Sequence, residues 1–438
     1  MFVGNAQLTE AIHALRSGCE TPTTYVEDCR DRVEAIEDDI CALVPEANRW
    51  ERLQRQTRER EANSRSDPTS RPPLYGIPVG IKDIFRVDGM PTRAGSDLPL
   101  SALAGRESVA WHRLREAGAI PFGKTVTTEF AYFDPGPTRN PHDANRTPGG
   151  SSSGSAALVA AGGCPLALGT QTIGSVIRPA AFCGIVGFKP TFGRIPIDGV
   201  IPLSPSLDHV GFFTQTIADA ALPAAILCDN WRTLPDPVER PTLGVPADAY
   251  LNQAGETGQS HFERHLNDLS DSGYSVIKTD LFADIGGINS RHNRLMAAEA
   301  ALVHQENEWY PAYQDRYAEK TRDLIEEGRE VSIKEVAAGR ADRANLRTEL
   351  RTKMAETDID VWISPAAPGP APKGIDSTGD PIMNLPWTNA GVPTVTLPVD
   401  QTDAGLPLGL QCAAAPNADE ELLGWATTLA DDLGTITE

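Results

Sequence analysis

Apolar side chains recurring at helical spacing mark the first part of the chain. Residues 7–62 are charged, and Tyr25, Cys29, Val33 and Ile36 fall on one face, which predicts a helical layer. A polar, proline-bearing stretch at 64–73 closes it. From Leu74 to about Ile226 the pattern changes to short apolar runs broken by Gly and Pro, the texture of buried strands joined to helices. Residues from about 240 to 356 return to charged, helix-rich sequence, clearest at 299–310 and 334–357. DIDVWISP (358–365) and GVPTVTLP (391–398) then read as strands, and a last helix begins near Ala418. Core strands thus come from both ends of the chain. That predicts a single α/β body over residues 1–438: a helical layer (1–70), a core (72–230), a helical insertion (about 240–356) and C-terminal strands and helix (357–438) that complete the core.

Composition narrows the partners. The 438 residues carry 60 acidic against 39 basic side chains, a net charge of −21, with 40% hydrophobic residues. Such a charge repels phosphates and anionic headgroups, so neither nucleic acid nor membrane is expected as a direct partner. The seven cysteines are odd in number and form no C-x-x-C pair, which reads as reduced thiols. The first twenty residues lack a basic then apolar leader pattern, and the longest weakly polar run, 156–168, is shorter than the ~18 residues of a membrane span. A cytoplasmic protein is expected. Only 8 of the 39 basic residues are Lys, so each Lys is informative. Lysine scarcity with acid excess also suits a protein working in high salt.

Three segments could carry chemistry. In GIPVGIKDIF (76–85), strand alternation puts Ile77, Val79 and Ile81 on one face and Pro78, Gly80 and Lys82 on the other. A lysine in so apolar a run is desolvated, which lowers its pKa. An ordinary lysine is neutral in only about one molecule per 2,500 at pH 7, and a drop of about 3 units would make it a usable base. The alternative is a strand-end lysine reaching water. The second segment, PGGSSSGSAA (148–157), leads into an apolar helical stretch at 156–161, which argues for an ordered loop rather than a linker. It lacks the Lys of a P-loop. Its G-x-S-x-G match around Ser152 is preceded by polar NPHDANRTPG, not by the strand a nucleophile elbow needs. The third, GTQTIGSVIRPAAFCGIVGFKP (169–190), holds a Gly-flanked turn that can aim consecutive N–H groups at an oxyanion beside Ser175.

Together these segments, with NPHDANRTPGGSSSGSAA, GFKPTFGRI (187–195) and, more weakly, GLPLGLQ (405–411), resemble the amidase signature family of serine hydrolases. The resemblance implies an α/β fold with a large mixed, twisted sheet flanked by helices on both faces. It also implies a Ser-cisSer-Lys triad: Lys82 as base, Ser151 as bridging serine and Ser175 as acylated nucleophile. The backbone N–H groups of Thr172, Ile173, Gly174 and Ser175 would form the oxyanion hole. Tyr132, Ser152 and Trp387 fall where the family contacts substrate, although aromatics there serve equally as core. His209 reads as structural. No cofactor is implied, and the eight histidines show no H-E-x-x-H or close His/Cys/Asp cluster, so no metal is expected.

The nucleophile turn departs from the family's commonest form, G-T-D-T-G-G-S-I-R. Gln171 replaces Asp, Ile173 replaces a small residue, and the Arg is displaced one place to Arg178. The amide removes a charge, and a β-branched residue resists φ > 0. The expected activity is hydrolysis of a small-molecule carboxylic amide to acid plus ammonia or amine, with the oligomeric state open, a homodimer included. Two other readings stand beside it: a glutaminase (A-type) subunit of a tRNA-dependent amidotransferase, and a catalytically silent scaffold.

Overall fold

The apolar runs between residues 78 and 214 form five strands: β1 (Pro78–Lys82), β2 (Ile120–Thr125), β3 (Leu166–Gln171), β4 (Val186–Lys189) and β5 (His209–Thr214). Every residue in them is buried, which is why they read as continuous apolar runs rather than alternating ones. The computed structural model describes residues 1–63, 70–233 and 239–436. Most of the turn expected at 64–73 therefore lies outside the described residues. Five further strands follow: β6 (Leu243–Pro246), β7 (Val276–Thr279), β8 (Val361–Pro365), β9 (Thr394–Gln401) and β10 (Pro407–Ala413).

All ten join one sheet in the order β2-β1-β3-β5-β4-β9-β10-β8-β6-β7. The β2-β1-β3 and β8-β6-β7 ends are parallel and the middle is antiparallel, so the sheet is mixed, as the resemblance implied. Helices flank it. Helix Ser153–Ala160 packs on β1, β2 and β3, sharing a core with Cys29, Val33 and Ile36 of the N-terminal layer. Ile77, Val79 and Ile81 belong instead to the main core with Leu8, Leu15 and Trp111. The predicted alternation in β1 thus separates two cores.

Three sequence expectations need correction. Residues 240–356 are not purely helical, because β6 and β7 add the sheet's last two strands. Each is four residues long, too short to break the surrounding helical pattern. Strand β8 starts later than residue 358, since Asp358 takes a left-handed φ of 53° to end helix Ile333–Thr357. Strand β9 likewise starts later than residue 391: Gly391, at φ 68°, ends helix Leu385–Ala390, which the sequence reading missed. The final helix, Asp419–Leu433, begins where expected. Among the described residues, no helix is long and apolar enough to cross a membrane.

Candidate active site

Lys82 ends β1 and is fully buried, so it does not reach water. Its Nζ donates to Ser151 Oγ at 2.7 Å and to Thr170 Oγ1 at 2.8 Å, with no carboxylate in contact among the described residues. Burial holds its pKa well below the usual lysine range, with Asp208 the opposing charge. Asp208 is itself pushed up to about 7 by burial, against hydrogen bonds donated by Thr172 Oγ1 (2.6 Å), Ser204 N and Leu203 N.

The serine-rich run is ordered because its hydroxyls are tied down. Ser153 Oγ donates to Val126 O and Ser155 Oγ to Leu168 O, and Thr128 N donates to Ser151 O. The Gly150–Ser151 peptide is cis, as the resemblance implied. Ser152 is also fully buried. Its hydroxyl donates to Thr170 O (3.2 Å) and accepts from Thr170 N (3.3 Å), so it is engaged with β3 and not presented to a ligand.

Ser175 lies in the turn between β3 and helix Ile177–Cys183 and is 9% exposed, against 2% for Ser151. Among the described residues its hydroxyl has no hydrogen-bond partner, and the N–H groups of Ile173, Gly174 and Ser175 have no intramolecular acceptor. These donors are free for a developing oxyanion. Ile173 takes no positive φ, so its β-branched side chain is accommodated. Gly174 is required by close approach: a Cβ there would lie 2.3 Å from Asn384 Oδ1.

Gln171 closes the turn. Its Oε1 accepts from Val176 N (2.8 Å) and Ile177 N (2.9 Å), and its Nε2 donates to Thr388 Oγ1. The amide donates and accepts at once, which a carboxylate in the same place could not do. Arg178 is buried. Its Nη2 donates to Gly150 O (2.6 Å) and Thr378 Oγ1 (3.1 Å), while Nε and Nη1 have no partner among the described residues. Burial lowers its pKa to about 10, opposed by Asp380.

Tyr132 and Ile173 line a cavity of about 340 Å³ with Met296, Leu324 and Leu385. A second cavity, about 680 Å³, shares Phe133, Asp380 and Pro381 with it. Trp387 borders neither. It is fully buried against Phe282 and Tyr250, and its Nε1 donates to Tyr250 OH at 2.8 Å. The expectation of substrate contact is therefore corrected for Trp387, a core aromatic, as it is for Ser152. His209 is buried, its Nδ1 donating to Leu207 O, and burial keeps it neutral.

Sequence reasoning missed Thr170, Asp208 and Thr378, and it missed the wall that helix Ile285–Glu306 supplies through Met296. Alternation along β3 was a usable signal for Thr170. Asp208 and Thr378 come from loops and Met296 from a distant helix, and these had none.

Known proteins share this chain's sequence pattern and fold. The amidase family model matches residues 24–423. The A-type subunit of glutamyl-tRNA(Gln) amidotransferase from Oleidesulfovibrio alaskensis is 30% identical over 98% of this chain and 97% of its own. A solved amidase superposes with a TM-score of 0.86 at 32% identity, covering 98% of this chain and 100% of that one. A chain from a vestigial protein complex bearing on the origins of an s-triazine catabolic enzyme gives 0.84 at 26% identity, covering 98% and 99%. Family match, fold and the placement of the three signature segments converge: this chain belongs to the amidase signature family of serine hydrolases.

Proposed function

We propose that the protein hydrolyses a small-molecule carboxylic amide through an acyl-enzyme on Ser175. The observation that carries the reading is the Lys82 amine, sealed from water, 2.7 Å from Ser151 Oγ and, among the described residues, without a carboxylate in contact. A neutral amine with one N–H held by Thr170 can turn its lone pair to the Ser151 hydroxyl. As Ser175 Oγ attacks the carbonyl carbon, its proton passes to Ser151 and the Ser151 proton to Lys82. The N–H groups of residues 172–175 receive the oxyanion. The tetrahedral intermediate collapses as the C–N bond breaks, and the proton returns through Ser151 to the leaving nitrogen. Water then attacks the ester through the same relay, releasing the acid and restoring Ser175.

The test is ammonia or amine release from a panel of aliphatic, aromatic and amino-acid amides, comparing wild type with Ser175→Ala. Release confined to wild type supports the reading, and release that survives the substitution rejects it.

A second reading has its own support. Relatives about 30% identical over nearly the whole chain are A-type subunits of a glutamyl-tRNA(Gln) amidotransferase. Co-purification with partner subunits, with glutamine the only good substrate, would favour that role over a free-standing amidase. The unpaired cysteines support a cytoplasmic location for either. A folded protein whose Ser175 resists every serine-directed probe would favour the silent scaffold.

A further inference from the structure

We propose that Arg178 and Thr378 are positioning residues that hold the Gly150–Ser151 peptide in place for the proton relay. This rests on the Lys82–Ser151–Ser175 assignment.

The carbonyl of Gly150 and the backbone of Ser151 share one peptide plane, so a bond to Gly150 O restrains the residue whose Oγ must meet Lys82. Arg178 Nη2 makes that bond at 2.6 Å and reaches Thr378 Oγ1 at 3.1 Å with the same nitrogen. Thr378 belongs to the 366–384 loop between β8 and helix Leu385–Ala390, and this loop roofs both halves of the relay. A Cβ on Gly150 would lie 2.7 Å from Thr378 Cγ2. A Cβ on Gly174, just before the nucleophile, would lie 2.9 Å from Pro381 Cβ. The two glycines are where the backbone beside each serine comes closest to the roof.

Arg178 is also the second residue of the helix that follows Ser175, with its N–H donating to Gly174 O at 2.9 Å. One residue therefore joins the bridging-serine loop, the nucleophile turn and the roof. The contact is sealed: Arg178 is 1% and Thr378 3% exposed, so water cannot replace a lost bond. Misplacing Ser151 harms the relay only while protons move, so the cost falls on the chemical step and not on binding.

The experiment measures covalent labelling of Ser175 by a fluorophosphonate, which needs the same nucleophile and relay but no knowledge of the natural substrate. The maximal labelling rate and the half-saturating probe concentration are determined separately for Arg178→Lys, Thr378→Val and Thr378→Ser, beside melting temperature. Arg178→Lys should slow the maximal rate by roughly 10- to 100-fold, the worth of a hydrogen bond to a charged group. Thr378→Val, nearly isosteric, should slow it several-fold, and Thr378→Ser should restore it, all at unchanged half-saturation. A defect confined to half-saturation would make Arg178 a ligand contact and overturn the proposal. So would lower melting temperatures with unchanged labelling. Ser175→Ala is the control that separates the two claims: labelling that persists there rejects the triad itself, while its loss with a fully active Thr378→Val rejects only the positioning role.

Discussion

Lys82 and Lys124 stand on neighbouring parallel strands and are both buried, yet their environments lead to opposite chemistry. In the β1–β2 register Ile81 lies opposite Lys124 and Lys82 opposite Thr125, so the two side chains leave the sheet on opposite faces. Lys124 Nζ donates to Asp83 Oδ1 (2.9 Å), Phe85 O (2.7 Å) and Thr92 Oγ1 (3.1 Å), three acceptors for three protons, one of them a carboxylate. Lys82 has two hydroxyls and, among the described residues, no carboxylate in contact. Burial lowers the pKa of both, but the Asp83 pair pulls Lys124 back toward its cation. A contacting carboxylate thus separates a structural ammonium from a candidate base at equal burial. Lys189 is a third solution, held by the carbonyls of Pro190 and Val392 with burial lowering its pKa to about 7. The other five lysines are exposed or half-buried.

The comparison breaks first on turnover. Ser175→Ala should lose about 10⁴-fold or more in amide hydrolysis with the fold intact, measured beside wild type under saturating substrate. Lys82→Met should lose about 10²- to 10⁴-fold, the usual contribution of a positioned base, while keeping or raising the melting temperature, because an apolar chain replaces a desolvated amine. Lys124→Met should do the reverse. It leaves the Asp83 carboxylate buried without its partner, and stability should fall by about 3–5 kcal/mol in denaturant titration. A Lys124→Met protein as stable as wild type would erase the distinction between the two lysines. A fully active Lys82→Met would do so from the other side.

Proton linkage sharpens it further. Hydrolysis requires neutral Lys82, and the neutral form is lost as pH falls through a pKa that burial has set well below the lysine range. The pH profile should therefore drop on the acid side, through a limb well below the pKa of a free lysine. Asp208 is the negative charge favouring the Lys82 ammonium and carries that charge only above its own pKa of about 7, so Asp208→Asn should move to lower pH the part of the acid limb that lies above about pH 7. A limb that stays in place, or moves up, would remove Asp208 from the electrostatics of the base.

The sequence made Lys82, Ser151 and Ser175 legible because each lies in a motif whose spacing survives folding. β1 and the helix after the serine run were legible for the same reason, their patterns being local. What the sequence hid is what distant segments supply. Thr378 and Asp380 reach the site from a Pro- and Gly-rich loop with no periodicity, and Met296 reaches the cavity wall from a helix of the charged 240–356 segment, distant in sequence from the motifs. Trp387 misled in the opposite direction, since a bulky aromatic near a pocket and one in the core look alike until neighbours such as Tyr250 and Phe282 are placed. The short strands β6 and β7 were masked by the charged helices around them, which dominate any window long enough to show a period.

Ionic strength gives the smallest effect and separates surface from interior. A net charge of −21 spreads repulsion over the molecule, and salt screens it. Exposed pairs such as Arg329–Glu326 are screened as well, but each contributes little. The Lys124–Asp83 pair lies beyond the reach of counterions, at 4% and 1% exposure, so it should hold its strength. Raising salt from low to molar should therefore raise the melting temperature by a few degrees in wild type, and the deficit of Lys124→Met relative to wild type should stay constant across the series. A wild type indifferent to salt would reject adaptation to high salt as the reason for the acidic, lysine-poor composition. A Lys124→Met deficit that shrinks with salt would show that the Asp83 pair is screened like a surface one, and burial would no longer distinguish the two faces of β1 and β2.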